Sequence, residues 1–304
     1  MSKGKTSPII ERLATPLFFT PSYRNDLDRL LLMRRSIKRF YCGFALHVIA
    51  VPLEDLKIFQ DALSGDTCKV IAQQSLVRSE FFPSRGYNAF KKLFPNQAWR
   101  INRFAGKGGW IIQQVAKLMA AELVENGPIV ILDSDVFFVR PFDDCDLFPK
   151  EGRLLVRITP DTESGRHRKH IANSRKILGL AEGSTEHNYM SCPAIIYAEW
   201  TKKLMIYIEN LWGKPWQLVL LEQETISEYS IYGVFVEEVL KPNDLIIRSQ
   251  SYNHMLWDFK SYTNFFSDVQ GKVLGEPEKI CVVAQSALNI SAIEYSKKLE
   301  SILG

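Results

Sequence analysis

Ile129-Val130-Ile131-Leu132-Asp133-Ser134-Asp135-Val136-Phe137-Phe138 is an apolar run broken abruptly by two carboxylates one residue apart. The β-branched residues 129–132 read as a strand buried on both faces, the habit of parallel sheets. Asp133 and Asp135 then stand at its carboxyl end, where open α/β sheets bind their ligands. On an extended segment alternate residues point to one side. One divalent cation could thus be held between both carboxylates and a bound diphosphate.

The same short pattern also arises as turn or helix-capping chemistry. A phosphatase with an aspartate nucleophile places Asp-x-Asp after an apolar strand as well, but normally opens its domain with that strand. Here an α/β pattern already fills residues 16–125, and the pair Asp143-Asp144 follows too closely to return from another strand of the sheet.

Outward from this strand, short apolar runs alternate with helical periodicity, which predicts a mostly parallel sheet flanked by helices. Strands are expected at 16–20, 44–51, 69–72, 129–132, 154–158, 194–197, 245–248 and 280–284. Helices are expected at 25–40, 109–125, 200–212, 216–239 and 290–303. The first helix has Asn25 as its cap, Asp26 and Asp28 in its first turn, and Arg34, Arg35, Lys38 and Arg39 towards its end. These cations suit the helix dipole, or a membrane surface. Residues 78–104 form a long aromatic connection, either a wall of the site or packing over the sheet. The basic run Arg166-His167-Arg168-Lys169-His170 reads as a solvated face, with phosphate or lipid contact as the alternative.

With 304 residues, 46% hydrophobic and 24% charged, the chain can bury a full core and is ordinary for a soluble globular protein. A net charge of +4 gives no argument for nucleic acid. No apolar run reaches the length of a membrane span, and the amino terminus lacks an apolar segment of signal-peptide length. Cys42, Cys68, Cys145, Cys192 and Cys281 are widely spaced without Cys-x-x-Cys pairs and read as reduced core thiols. One domain spanning 1–304 is expected, with a nucleotide and metal half at about 14–150 and an acceptor half at about 151–304.

In the helix starting at Gly109, Trp110, Gln113, Gln114 and Lys117 recur at helical spacing and make a stripe able to hydrogen-bond a sugar or diphosphate. Exposed surface explains such residues equally well. Glu222, Glu224 and Glu228 fall in one helical pattern. Glu224 and Glu228 stand one turn apart, close enough for each to raise the other's pKa.

Gly109-Trp110-Ile111-Ile112-Gln113-Gln114 with Lys117, then Leu132-Asp133-Ser134-Asp135 with Arg140-Pro141-Phe142, then Ser227-Glu228-Tyr229 with Tyr232-Gly233, occur in that order. Together they resemble a family of bacterial glycosyltransferase-like proteins of the GT-A fold, associated with surface-polysaccharide synthesis. The likeness runs from about residue 18 to about 254 and is faintest between 152 and 187.

The resemblance implies a nucleoside-diphosphate-sugar donor, with UDP-sugars preferred, and a Mn²⁺ or Mg²⁺ ion. It assigns Asp135 and Asp133 to the metal, and His254, after the last core strand, to completing the coordination. Donor contacts are then expected from Thr20, Tyr23, Arg24, Asp26, Trp110, Gln113, Gln114, Lys117, Asp133 and Ser134. Tyr23 would stack on the base. Asp26 would bond the ribose or cap its helix, and Arg24 would neutralise diphosphate charge or lie on the surface. In an inverting reaction Glu228 would take the proton of the acceptor hydroxyl. His187 would line the acceptor side.

The expected activity is metal-dependent sugar transfer to a glycan or lipid-linked acceptor, in the cytoplasm or peripherally at the inner face of the membrane. Two other readings stay open: a nucleotide-sugar hydrolase or phosphatase, and a non-catalytic carbohydrate-binding scaffold.

Overall fold

The computed structural model describes residues 16–78, 109–158, 165–285, 288 and 290–303. Its strands are β1 (Leu17–Pro21), β2 (Leu46–Val51), β3 (Cys68–Ala72), β4 (Pro128–Ile131), β5 (Val136–Phe138), β6 (Arg153–Val156), β7 (Ala194–Tyr197), β8 (Leu245–Arg248), β9 (Asn253–Leu256) and β10 (Cys281–Ala284). Its helices begin with α1 (Leu27–Phe40), α2 (Leu56–Ala62), α3 (Gly109–Met119), α4 (Asp144–Leu147), α5 (Arg166–Ile177) and α6 (Ala198–Trp212). They continue with α7 (Trp216–Leu221), α8 (Glu228–Val234), α9 (Phe259–Ser267), α10 (Val269–Gly275) and α11 (Ala292–Leu303). Among the described residues no helix is long and apolar enough to cross a membrane.

The main sheet runs β3-β2-β1-β4-β7, with β7 the antiparallel edge strand. This is the α/β architecture, a mostly parallel sheet flanked by helices, that the alternating pattern predicts. Leu17, Phe18 and Phe19 of β1 and Ile129, Val130 and Ile131 of β4 are fully buried. Each contributes about 2 kcal/mol through the apolar surface it hides. From β1 the chain builds outward through β2 and β3, then returns to add β4 on the other side, so the strand order reverses between β1 and β4. A crevice opens beyond the carboxyl ends of strands at such a reversal, and Asp133 stands there.

Smaller sheets, β5-β10-β9 and β6-β8, flank this one. The β5-β10-β9 sheet carries a second apolar cluster that includes Phe137, Leu256, Phe265, Val282 and Leu299, together with Leu32 of α1. Arg29 of α1 ties the segment after β10 to the main body, donating to the carbonyls of Ala284 at 3.0 Å and Ile290 at 2.9 Å.

Several expectations are corrected. Residues 133–135 do not extend the strand: Val136 N–H bonds Asp133 O at 3.2 Å, turning the chain from β4 into β5. The helix expected at 216–239 is broken, because α7 stops at Leu221 and Ser227 caps a new helix by accepting from Ser230 N–H. Glu224 therefore does not share a helical face with Glu228, and Glu222 is paired with Lys214. The basic run from Arg166, expected as a solvated face, forms helix α5 with His167 and His170 buried, and His254 lies in strand β9. Cys192 and Cys281 are buried, whereas Cys42 and Cys145 are exposed. The aromatic connection expected at 78–104 lies, beyond Arg78, outside the described residues.

Candidate active site

Helix α3 packs on β1 and on α8, which brings residues distant in sequence around one ammonium group. Lys117 Nζ lies 2.7 Å from Asp133 Oδ1 and 2.7 Å from Glu228 Oε1, and donates to the Tyr229 hydroxyl at 3.0 Å. Lys117 and Glu228 are each 3% exposed. Burial disfavours the ammonium, but the charges of Asp133 and Glu228 outweigh it and hold the Lys117 pKa well above its ordinary value. For Glu228, burial is the larger influence and raises the pKa against the opposing pull of Lys117. Gln114 Oε1 accepts the Glu228 N–H at 3.3 Å, fixing the start of α8 against α3.

This charged group floors a cleft of about 470 Å³. Higher up, the lining comprises Trp110, His170, Asn188, Met190, Thr225, Met255 and Trp257. The His170 and Trp110 rings stand 5.9 Å apart, and His170 Nδ1 is hydrogen-bonded to Thr225 Oγ1 at 3.2 Å.

Asp135 does not line this cleft, and Arg29 of α1 and the neighbouring Asp26 act on its charge. Its Oδ1 is buried without a hydrogen-bond partner, and its pKa is pushed up to about 7, first by burial and then by the Asp133 charge, with Arg29 opposing and Asp26 adding. Asp26 is raised chiefly by burial, with Arg29 opposing and Asp133 adding. A carboxylate with one oxygen buried and unpartnered, repelled by two neighbouring acids, is suited to a cation. Among the described residues no three His, Cys, Asp or Glu side chains are grouped closely enough to hold a metal by themselves. The donor set therefore fits a hard divalent cation taking one or two carboxylates from the protein and its remaining oxygens from a phosphate ligand.

The structure brings Trp110, Gln114, Lys117, Asp133 and Glu228 to one cleft. Other expected residues lie elsewhere. Thr20 is fully buried and bonds His47 at 2.9 Å. Arg24 is engaged by Asp55 through its backbone N–H and its Nε. Gln113 and His187 do not line the cleft. Ser134 donates to Ser22 at 2.9 Å, tying the end of β4 to that of β1. Tyr23 is exposed beside Asp26, whose side chain makes no capping hydrogen bond.

His254 is turned from the carboxylates because residues alternate along β9. Met255 and Trp257 face the cleft, while His254 packs on Phe265 with Glu276 at 3.6 Å. Reading the sequence missed Arg29, Asn188, Thr225 and Trp257. A single cation, amide, hydroxyl or indole carries no periodic signal, and only the tertiary fold assembles them.

Similarity to solved structures is broad and shallow. The chain is 12% identical to the galactosyltransferase LgtC solved with donor and acceptor sugar analogs, covering 94% of this chain and 95% of that one at a TM-score of 0.46. It is 10% identical to mouse xyloside xylosyltransferase 1, covering 90% of this chain and 99% of that one at 0.44. For the bifunctional glycosyltransferase WbbM the identity is 11%, the coverage 98% and 51%, and the TM-score 0.49. Likeness at this level says nothing of substrate. No curated protein sequence matches the chain. Residues 13–303, nearly the whole chain, match one family model, and the protein belongs to that family, described as a family of unknown function (DUF6492).

Proposed function

We propose that the protein is a metal-dependent glycosyltransferase of the GT-A type that moves a sugar from a nucleoside diphosphate, UDP preferred, to a glycan or lipid-linked acceptor. The observation that carries this reading is the pairing, at the strand-order reversal, of an Asp135 whose buried Oδ1 lacks a hydrogen-bond partner with the Asp133–Lys117–Glu228 group at the cleft floor. A Mn²⁺ or Mg²⁺ ion held by Asp135 and Asp133 would stabilise the charge that gathers on the departing diphosphate.

The chain's own residues do the rest. Lys117 holds Asp133 and Glu228 in fixed positions. Gln114 steadies the backbone of Glu228. Tyr23 and Asp26, at the end of β1, lie on the side where the base and ribose would rest. Glu228 keeps Oε1 on Lys117 while Oε2 has no hydrogen-bond partner, so Oε2 is the atom to receive the acceptor hydroxyl proton in an inverting reaction. The surface-polysaccharide setting and the cytoplasmic compartment belong to this proposal through the motif resemblance alone.

Calorimetric titration with UDP, GDP and CMP, with and without Mn²⁺, tests it on wild type and Asp135→Ala. Mn²⁺-dependent binding of one nucleotide, lost in the variant, supports the transferase and names the donor class. Failure of all three nucleotides to bind folded protein sinks it.

A further inference from the structure

The cleft is chemically polarised. Its floor is ionic, whereas its outer part presents two indoles that water reaches freely: Trp110 is 45% exposed and Trp257 56%. Trp110 precedes Lys117 by two helical turns, which sets their Cα atoms about 10 Å apart along the axis. An exposed tryptophan is costly to leave wet unless something covers it, and here two of them line one concave site.

What covers them is constrained by charge. Among the described lining residues the one Lys or Arg is Lys117, and its positive charge is already met by Asp133 and Glu228. A phosphate or carboxylate on an acceptor entering here would face those two acids with Lys117 already paired and no other Lys or Arg among the described lining residues. The other polar groups of the lining are His170, whose Nδ1 is hydrogen-bonded to Thr225, and the hydrogen-bonding side chains Asn188, Ser191, Thr225 and Gln285. Asn188 uses its carbonyl oxygen on the Met190 N–H at 2.9 Å, which leaves its amide hydrogens for a ligand. Flat apolar faces flanked by uncharged donors and acceptors match a sugar ring, which has C–H faces and a hydroxyl rim.

We propose that this outer part of the cleft is a subsite for an uncharged sugar unit of the acceptor, packed on Trp257 and Trp110 with its hydroxyls on Asn188 and Thr225. The proposal rests on the transferase reading and narrows its acceptor to a neutral glycan end, excluding a bare phosphate-bearing lipid at this position.

The test uses the full chain with saturating UDP and Mn²⁺. Lactose, cellobiose and maltose are titrated as neutral probes and glucose 6-phosphate as the anionic one, followed by calorimetry and tryptophan fluorescence. At least one neutral disaccharide is expected to bind and shift the fluorescence, with glucose 6-phosphate much weaker. Trp257→Ala is expected to weaken that binding on the order of tenfold, Trp257→Phe to retain most of it, and UDP affinity to stay unchanged in both. Indifference of sugar binding to Trp257→Ala, failure of all three neutral probes, or equal binding of glucose 6-phosphate overturns the subsite. UDP binding without any sugar binding would remove the subsite and spare the transferase. Sugar binding without UDP binding would remove the transferase, and with it the acceptor role of the subsite.

Discussion

Lys117 concentrates the electrostatics of the site in one buried ammonium. Replacing it by Met leaves Asp133 and Glu228 facing one another without a counter-charge, and breaking a buried pair from one side costs about 3–5 kcal/mol. Urea denaturation of Lys117→Met is expected to show a loss of that order at neutral pH, shrinking in acid as Glu228 takes up a proton. Lys117→Arg is expected to keep the charge and lose less, though the planar guanidinium cannot reproduce three contacts made by a compact ammonium. The sequence placed Lys117 on a polar stripe but not its partners. Those contacts join positions 117, 133 and 228, a separation that no local periodicity encodes. Asp133 and Asp135 were legible as a pair, and the turn from β4 into β5 that carries them was not.

Among the elements, strands with uniform apolar runs were read closely, as at Ala194–Tyr197 and Leu245–Arg248. Strand β9 was missed because Asn253-His254-Met255-Leu256 alternates polar and apolar residues, and its order comes from pairing with β10. Its histidine gives a pH signature. Burial and the nearby Lys279 lower the His254 pKa to about 4, with Glu276 opposing. Between pH 6.5 and 4 the unfolded chain thus binds a proton that the folded one resists, so this contribution is complete above pH 6.5 and is lost as the pH falls towards 4. Urea midpoints of wild type are expected to decline across that window more steeply than those of His254→Phe. In helix α8, Gly233 permits a close approach: a Cβ there would lie 2.2 Å from the Tyr189 ring, which Glu237 holds through its hydroxyl at 2.5 Å. Gly233→Ala, which helix propensity alone would favour by about 1 kcal/mol, is instead expected to destabilise by about 1–3 kcal/mol through overpacking, read as a lower denaturation midpoint.

Across the whole molecule the cleft is walled on one side by the main body and on the other by the β9-β10 sheet. Gln114, Lys117 and Glu228 stand on the larger body, and Trp257 and Gln285 flank the β9-β10 sheet. A ligand filling the cleft touches both, and at a hundred times its dissociation constant it is expected to stabilise the fold by about 2.7 kcal/mol. Thermal melting with UDP and Mn²⁺ checks this, with Asp135→Ala showing no shift. The two guanidinium hydrogen bonds of Arg29 gain a further meaning from this arrangement. They tie α1 to the end of β10 and to Ile290, and a segment that opens locally exchanges its amide hydrogens without global unfolding. Arg29→Met is therefore expected to speed exchange in β9 and β10 while β1 and β2 keep wild-type protection. The wall that carries Trp257 would then have its own opening equilibrium, and ligand residence time would be set at a stitch outside the pocket.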